Sequence, residues 1–412
     1  MSVASQRTKR RTNNQRIPRR GCIRPALVAA CALVTLAGCT LLASCTGAPS
    51  QPAFKSVGPL ITLRIGVYAD PGYQPSGLYA QYERLHPDIR IVQSDTAAQA
   101  SYWPALQGEL RSGHGLDDIQ AVPVADIGAV TGALAGDFVP LNTLGGVSGG
   151  TSTFADDWLP WVARQAMNRA GTTYALGAEI GPIAACYRTS LLAEAGLPTS
   201  PAGGLAVRGN PAIKAAWDTA VRASHDGLSA GLAPQTAAWD RGVTRGAFAT
   251  MMCPAWMLHQ VAALAGPLGS GGWNVTAAPG GAGNSGGFYL ALPKAGRHQQ
   301  AAFQLASFLT GEQAGAGLFR TQGDFPANFA AVTAVESVTS GYFSGARVGK
   351  IFSQAADRTP GAPLGPASAA ITAIVDGQLA QVEAGRRGAG PAWRAALRQA
   401  QASAGGAGGT PG

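Results

Sequence analysis

From Ile61 onward the chain switches repeatedly between two hydrophobic periods. Ile61-Thr-Leu-Arg-Ile-Gly-Val-Tyr68 alternates apolar and polar positions and is rich in β-branched residues, which predicts a strand. Leu78 to His86 takes helical spacing and is stopped by Pro87. Ile89 to Val92 is a second strand, Trp103 to Leu110 a helix ending near Gly113, Asp118 to Val122 a third strand, and Asp126 to Leu134 a further helix. Val162 to Asn168 reads as helical and Thr173 to Leu176 as extended. The alternation then restarts with a strand at Ile183–Tyr187 and a helix at Ser190–Ala195. A Gly/Pro-rich break follows at 196–211, then a helix at Ala212–Ser224 centred on Trp217, a core residue by its helical position. Phe248–Cys253 and Trp273–Ala277 read as strands around a helical 255–265. After a glycine loop at 280–287, Phe288–Leu292 is extended, and helices follow at Gln299–Leu309, Ser368–Glu383 and Pro391–Ala400. Strands alternating with helices predict βαβ units and mostly parallel sheets. Two such runs predict an α/β chain of two lobes.

The segment before this pattern is of another kind. Pro25 to Leu36 is almost wholly apolar, follows a basic stretch, and ends in Leu36-Ala37-Gly38-Cys39. These are the parts of a secretory signal. A cysteine directly after small residues resembles the lipobox of bacterial lipoproteins, in which that cysteine is lipidated and holds the protein on the outer membrane face. Leu42-Ala43-Ser44-Cys45 is a second candidate, so cleavage falls before Cys39 or Cys45. Residues 1–45 are then signal and anchor, and 46–58 a Pro- and Gly-containing tether. Pro25 to Ala43 is barely long enough to span a bilayer, and the lipobox is the better account of it. Residues 401–412 are small and Gly-rich, which predicts a disordered tail.

Charge sharpens the division. The chain carries 31 Lys+Arg against 22 Asp+Glu, a net of +9. Eight of the basic groups (Arg7, Lys9, Arg10, Arg11, Arg16, Arg19, Arg20, Arg24) precede Cys39 with no acidic residue among them, so the body is left with 23 against 22. A nucleic-acid binder needs a basic body for phosphate contacts, and this one is nearly neutral. Outside the anchor region the cysteines are Cys186 and Cys253. In an exported protein they form one disulfide or remain two buried thiols.

Several motifs resemble catalytic ones without their context. Gly283-Asn-Ser-Gly-Gly287 fits G-x-S-x-G around Ser285, but a nucleophile elbow needs a helix after it, and a strand-like Phe288-Tyr-Leu-Ala-Leu292 follows. The same strand argues against Gly281-x-Gly283-x-x-Gly286 as a dinucleotide fingerprint. The five histidines, His86, His114, His225, His259 and His298, are scattered, with no metal-ligand spacing. Asp117-Asp118 and Asp156-Asp157 are adjacent pairs and point to opposite faces of an extended chain, so they read as loop and cap residues. No catalytic residue, metal or cofactor is expected.

The order of segments resembles extracellular solute-binding proteins of the sugar-binding type, the lipoprotein receptors of ABC importers. Tyr82-Glu-Arg-Leu-His-Pro-Asp-Ile-Arg-Ile91 is similar to that family's F-E-x-x-x-P-x-I-x-V, and Gly171-Thr-Thr-Tyr-Ala-Leu176 to its G-k-x-Y-a-l. Tyr187-Arg-Thr-Ser-Leu-Leu-Ala-Glu-Ala-Gly-Leu-Pro198 is close to YNkdLfkkaGLxxP. Ala301-Ala-Phe-Gln-Leu-Ala-Ser-Phe-Leu-Thr-Gly-Glu-Gln313 resembles aAxxFixfLtsxExQ, and Gly323-Asp-Phe-Pro326 resembles G-x-x-P. Gly177 stands where the family has Pro, Arg188 where it has Asn, and the stretch from Tyr187 to Met251 is short.

The resemblance implies a two-lobe, type II periplasmic-binding-protein-like fold with lobe one at 59–178 and 288–330, and lobe two at 182–286 and 340–400. Crossovers fall near Glu179–Pro182, Gly286–Tyr289 and 328–340. It implies a monomer with no enzyme activity that takes a small solute, a carbohydrate or polyol, and delivers it to importer permease subunits. The membrane is met only through the lipid anchor. Sugars present flat C–H faces and hydroxyl rims, so aromatic platforms and carboxylate or amide acceptors are the expected groups. By position these are Tyr68, Asp70, Tyr73 and Gln120 after the first strands, and Glu179 at the hinge. Trp239, Asp240 and Trp256 lie in the second lobe, and Phe288, Tyr289 and Asp324 on the returning segments. An amine, a phosphate ester or a metal chelate as solute, a hydrolase using Ser285, and a structural lipoprotein with a closed cleft remain alternatives.

Overall fold

The computed structural model describes residues 59–96, 98–144, 154–188, 211–279, 281–361 and 364–406. The signal, both candidate anchor cysteines, the tether and the helix at Ser190–Ala195 lie outside the described residues. So do most of the break at 196–211 and the tail from 407. Residues Ser56–Gly412 form one compact unit.

Strand β1 (Ile61–Tyr68) buries Leu63, Ile65 and Val67 and runs parallel to β2 (Ile89–Thr96), Ile61 opposite Ile89 and Tyr68 opposite Thr96. It is also parallel to β3 (Ile119–Pro123). The crossovers are α1 (Leu78–Leu85), which buries Leu78, Tyr79 and Tyr82, and α2 (Gln99–Ser112), which buries Tyr102, Leu106 and Leu110 at i, i+4, i+8. At the far end of these strands Asp117 accepts from Arg64 Nε (2.6 Å), and Asp118 accepts from the amides of Arg64 (2.9 Å) and Arg297 (3.2 Å). Both aspartates are thus loop residues, as expected, and serve as buried structural acceptors just before β3.

Beyond β3 the pairing reverses. β7 (Asn284–Ala291) is antiparallel to β3 and to β4 (Ala175–Arg188), and β4 continues between β5 (Thr250–Pro254) and β6 (Trp273–Ala277), antiparallel to both. The short β8 (Phe325–Pro326) pairs with β4 at Glu179 and Ile180. The parallel arrangement expected for both lobes is therefore confined to β2-β1-β3. The reason lies in β4, a single strand that leaves one lobe and enters the other. β5 and β6, joined through α7 (Met257–Ala265), flank it on opposite sides, each antiparallel to it. The sequence reads here as two segments, Thr173–Leu176 and Ile183–Tyr187, and between them stand Gly177, Gly181 and Pro182, residues that weaken a strand interior. Register shifts at Gly177/Glu179 and Ile180/Pro182 absorb them, so the strand runs through.

Helical differences have local causes. The helix expected at Asp126–Leu134 is one turn, α3 (Ile127–Val130), after a 3-10 turn at Val124–Asp126. Gly128 and Gly132 weaken it, and the backbone of Leu364 packs where a side chain at Gly128 would stand. α4 (Pro160–Gln165) starts earlier than the apolar pattern, with Pro160 at its first position. α5 (Pro211–His225), α8 (Gln299–Leu309) and α12 (Ser368–Glu383) match the periodicity closely, whereas α13 (Ala389–Gly406) outruns the expected Pro391–Ala400 and makes 401–406, expected to be part of a disordered tail, helical, as their Ala, Gln and Ser content permits once the turn is propagated. Four others were not evident: α6 (Ala237–Arg245), α9 (Glu312–Gln322), α10 (Phe329–Val335) and α11 (Val348–Arg358). α6 and α10 are short and depend on side-chain caps, Thr236 accepting from the Trp239 amide (3.3 Å) and Asn328 from the Ala331 amide (3.0 Å).

In the second lobe Cys186 of β4 and Cys253 of β5 form a disulfide, Cα–Cα 5.6 Å. Trp217 is buried and packs, with its ring tilted, at 5.2 Å from Trp393 of α13. Around the end of α11 and in α12 the chain also touches elements from before β4. Trp161 Nε1 donates to Ala356 O (3.1 Å), Leu364 meets Gly128, and α12 packs against both α5 and the turn at Val124–Asp126.

Candidate functional site

The crossing of β4 and β7 brings the two backbones closer than any side chain would permit. A Cβ at Gly181 would overlap the Ser285 carbonyl, and one at Gly287 would overlap the Glu179 carbonyl. Gly286 and Gly287 also have φ of +86° and +92°, the region glycine enters without steric cost. The glycines read as a loop in the sequence are therefore what allows two strands to cross.

Aromatic side chains gather beside this crossing because β1 ends there. Tyr68, its last residue, donates its hydroxyl to Gly287 O (3.3 Å) and lies 5.3 Å from the Tyr102 ring and 6.0 Å from Phe288. Tyr73, almost fully buried, stands 6.3 Å from Phe288 and 6.0 Å from Tyr79. Between Tyr68 and Tyr73 the chain turns through Ala69 and Asp70 at φ +56° and +38°, a conformation that costs non-glycine residues energy. Asp70 Oδ1 steadies the turn by accepting from the Gly72 amide (3.1 Å). Gln120 sits beneath, buried, its Oε1 accepting from the Tyr102 hydroxyl (2.7 Å).

Carboxylates complete the cluster. Glu179 lies opposite Phe288 on one side and Pro326 on the other. Asp324 lies two residues before Pro326, near enough for its charge to act on Glu179. Burial pushes the Glu179 carboxyl well above its ordinary value, and the charge of Asp324 pushes it further. Asp324 is raised to about 7 by burial and then by Asp70. Asp126, on the turn after β3, is raised to about 6 by burial. The tyrosines feel the same acids. Tyr68 is raised by burial, Glu179, Tyr102 and Asp126, and Tyr73 by burial, Tyr79, Glu179, Asp324 and Tyr68. Among the described residues no protein donor or basic group pairs with Glu179 or Asp324. The arrangement is a set of hydrogen-bond acceptors held beside aromatic faces.

These shifts have a consequence for stability. Asp324 has a native pKa above its unfolded value, so between about pH 4 and 7 the folded protein holds more protons than the unfolded chain. Stability from this group is therefore present at acid pH and is lost as pH rises through that window. Asp324→Asn is expected to stabilise the protein at pH 7 by on the order of 2 kcal/mol and to flatten the decline between pH 4 and 7. Urea unfolding at several pH values measures this, and a variant that keeps the wild-type pH profile refutes it.

The remaining predicted residues divide. Trp256 opens α7 and donates Nε1 to Ser285 O (2.9 Å), on the second-lobe side of the crossing. Trp239 is not in the cluster: it is 3% exposed and stacks on Phe248 at 6.5 Å, in the core of the second lobe. Asp240 follows it on α6, with one carboxylate oxygen lacking a hydrogen-bond partner among the described residues. Tyr289 faces away from Phe288, as the strand period requires, and is fully buried with its hydroxyl donating to Gln165 Oε1 (3.0 Å) and Val162 O (3.3 Å). Tyr102 and Asp126 belong to the cluster and were missed. Tyr102 reads as core by its spacing to Leu106, and only the position of Asp126 just after a strand could have marked it. Ser285 lies within β7, without the following helix of a nucleophile elbow. A separate cavity of about 470 Å³, lined by residues including Trp158, Arg164, Met167 and Phe329, contains none of the cluster.

The sequence profile of bacterial extracellular solute-binding proteins matches residues 199–341. A solved structure described as an extracellular solute-binding protein family 1 is 31% identical, with a TM-score of 0.73, covering 84% of this chain and 100% of that one. The galacto-N-biose-/lacto-N-biose I-binding protein of an ABC transporter from Bifidobacterium longum, solved with lacto-N-biose, is 18% identical at TM-score 0.70, covering 85% and 98%. The sugar-binding protein MalE from Xanthomonas citri is 16% identical at TM-score 0.67, covering 84% and 98%. These last two share the fold. Comparison with curated protein sequences finds no significant match. The two-lobe architecture and the 31% identity over the whole of that relative have one reading: the chain belongs to the extracellular solute-binding protein family 1.

Proposed function

We propose that the protein is a receptor, lipid-anchored through Cys39 or Cys45 to the outer face of a bacterial membrane, that captures a carbohydrate or polyol and delivers it to the permease of an ABC importer. Its lobes are 59–178 with 288–330, and 182–286 with 340–400. The observation that carries the reading is the cluster at the strand crossing. Tyr68 and Phe288 supply ring faces for C–H surfaces, while Glu179, Asp324 and Asp70 supply acceptors for hydroxyl groups. A solute touching both lobes stabilises the closed arrangement by its differential affinity, and closure is what a permease can read. The protein performs no chemistry on the solute.

A second reading, an amine-bearing solute, draws support from the same acids. They lie together with no basic group paired to them among the described residues, and a protonated amine would satisfy two carboxylates at once.

The test is a thermal-shift screen against mono- and oligosaccharides, polyols, amines and phosphate esters, repeated with Glu179→Gln. A solute at a hundred times its dissociation constant stabilises by about 2.7 kcal/mol. Glu179→Gln is expected to weaken binding tenfold or more, roughly the worth of a hydrogen bond to a charged group. A shift confined to amines replaces the carbohydrate reading by the second. Silence across all classes removes the receptor reading.

A further inference from the structure

The crossover backbone at Ser285–Gly287 is gripped from both lobes. Trp256, from the start of α7 in the second lobe, donates its indole N–H to Ser285 O at 2.9 Å. Tyr68, from the end of β1 in the first lobe, donates its hydroxyl to Gly287 O at 3.3 Å. Between those two carbonyls lies Gly286, and Gly286 and Gly287 are consecutive residues with φ of +86° and +92°. Asn284 ties the same segment to the other crossover strand. Its Oδ1 accepts from the Gly181 amide (2.8 Å), and its Nδ2 donates to Gly286 O (2.9 Å). The indole nitrogen lies 3.0 Å and 2.9 Å from where Cβ atoms of Gly181 and Gly286 would be, so the ring can reach both strands only because both positions are glycine.

Relative rotation of the lobes must be absorbed by backbone torsions where the strands cross, and two adjacent glycines are the softest torsions there. The paired strand register is already shifted opposite them, between Ile180 and Pro182. A rotation at Gly286 moves Ser285 O relative to Gly287 O. Each carbonyl is held by a side chain rooted in a different lobe, so the two hydrogen bonds cannot both keep their geometry.

We propose that Tyr68 and Trp256 are positioning residues for lobe movement: each pins one carbonyl flanking Gly286, so the crossover holds one angle until a bond is given up. Neither role depends on which solute binds. The inference rests on the two-lobe receptor reading only in supposing that the lobes move. Because both rings also border the proposed cleft, a solute seated on either would press on the crossover directly, which links occupancy to lobe angle without a longer path.

The test uses Tyr68→Phe, which removes only the hydroxyl, and Trp256→Phe, which keeps an aromatic ring but removes the indole N–H together with part of the ring, in solute-free protein. Hydrogen exchange resolved over Asn284–Phe288 is expected to accelerate roughly 2- to 10-fold in each variant, the worth of one hydrogen bond. Exchange in β1, β3 and β6 is expected to stay at the wild-type rate, and small-angle scattering to show a changed radius of gyration. Unchanged exchange over Asn284–Phe288 in both variants overturns the proposal. So does acceleration spread evenly over the fold, which marks a purely structural role. If one variant fails to fold, the other alone decides by the same readout. Since no solute is added, a failed ligand screen leaves this result standing, and an unchanged crossover leaves the receptor reading intact.

Discussion

Replacing Cys186 and Cys253 together by alanine lowers the unfolding free energy by about 4 kcal/mol. The two residues are separated by 67 positions, and a cross-link closing a loop of that length removes about that much chain entropy from the unfolded state. The bond also joins the crossover strand β4 to the edge strand β5, and both residues are fully buried. Its loss therefore falls on a part of the sheet that is three strands wide among the described residues, β5, β4 and β6. Guanidinium unfolding of the double variant, beside the wild type in the presence and absence of reductant, measures the effect. A midpoint unchanged by both treatments would show that β4 and β5 need no covalent link.

Gly287→Ala has a comparable cost from a different cause. The residue sits at φ +92°, and a Cβ there would overlap the Glu179 carbonyl, which belongs to the backbone and has no rotamer to escape into. Left-handed strain alone is worth about 1–2 kcal/mol, and prising the two strands apart adds to it, so about 3 kcal/mol or more is expected. Gly283→Ala is the internal control. Its Cβ would find Ile183 Cδ1 at 3.4 Å, an ordinary contact, with no left-handed φ, and the expected cost is below about 1 kcal/mol. Equal midpoints for the two variants would falsify the close-crossing account. Gly287→Ala should also disturb the cleft even where it folds, since Gly287 O is the acceptor for Tyr68.

How much of this could be read in the sequence depended on how local each feature is. The strands Ile61–Tyr68 and Trp273–Ala277 and the helix Ser368–Glu383 coincide with their expected bounds because each carries a full period of its own. β4 did not, since Gly177, Gly181 and Pro182 are breakers by local preference, and only pairing on both sides keeps the chain extended through them. The tryptophans show the same limit. Trp239 and Trp256 were indistinguishable as candidates, and packing sends one into the core against Phe248 and sets the other on the crossover carbonyl of Ser285.

By itself the sequence determined the near-neutral charge balance from Cys39 onward, the α/β alternation and the order of segments that marks the family. All of these are properties of composition or of runs a few residues long. Only the tertiary structure decided which strands run antiparallel, that the charge of Asp324 acts on Glu179, and that two glycines let the strands cross. Burial and charge coupling arise between groups far apart along the chain, and no local period encodes the distance at which they meet.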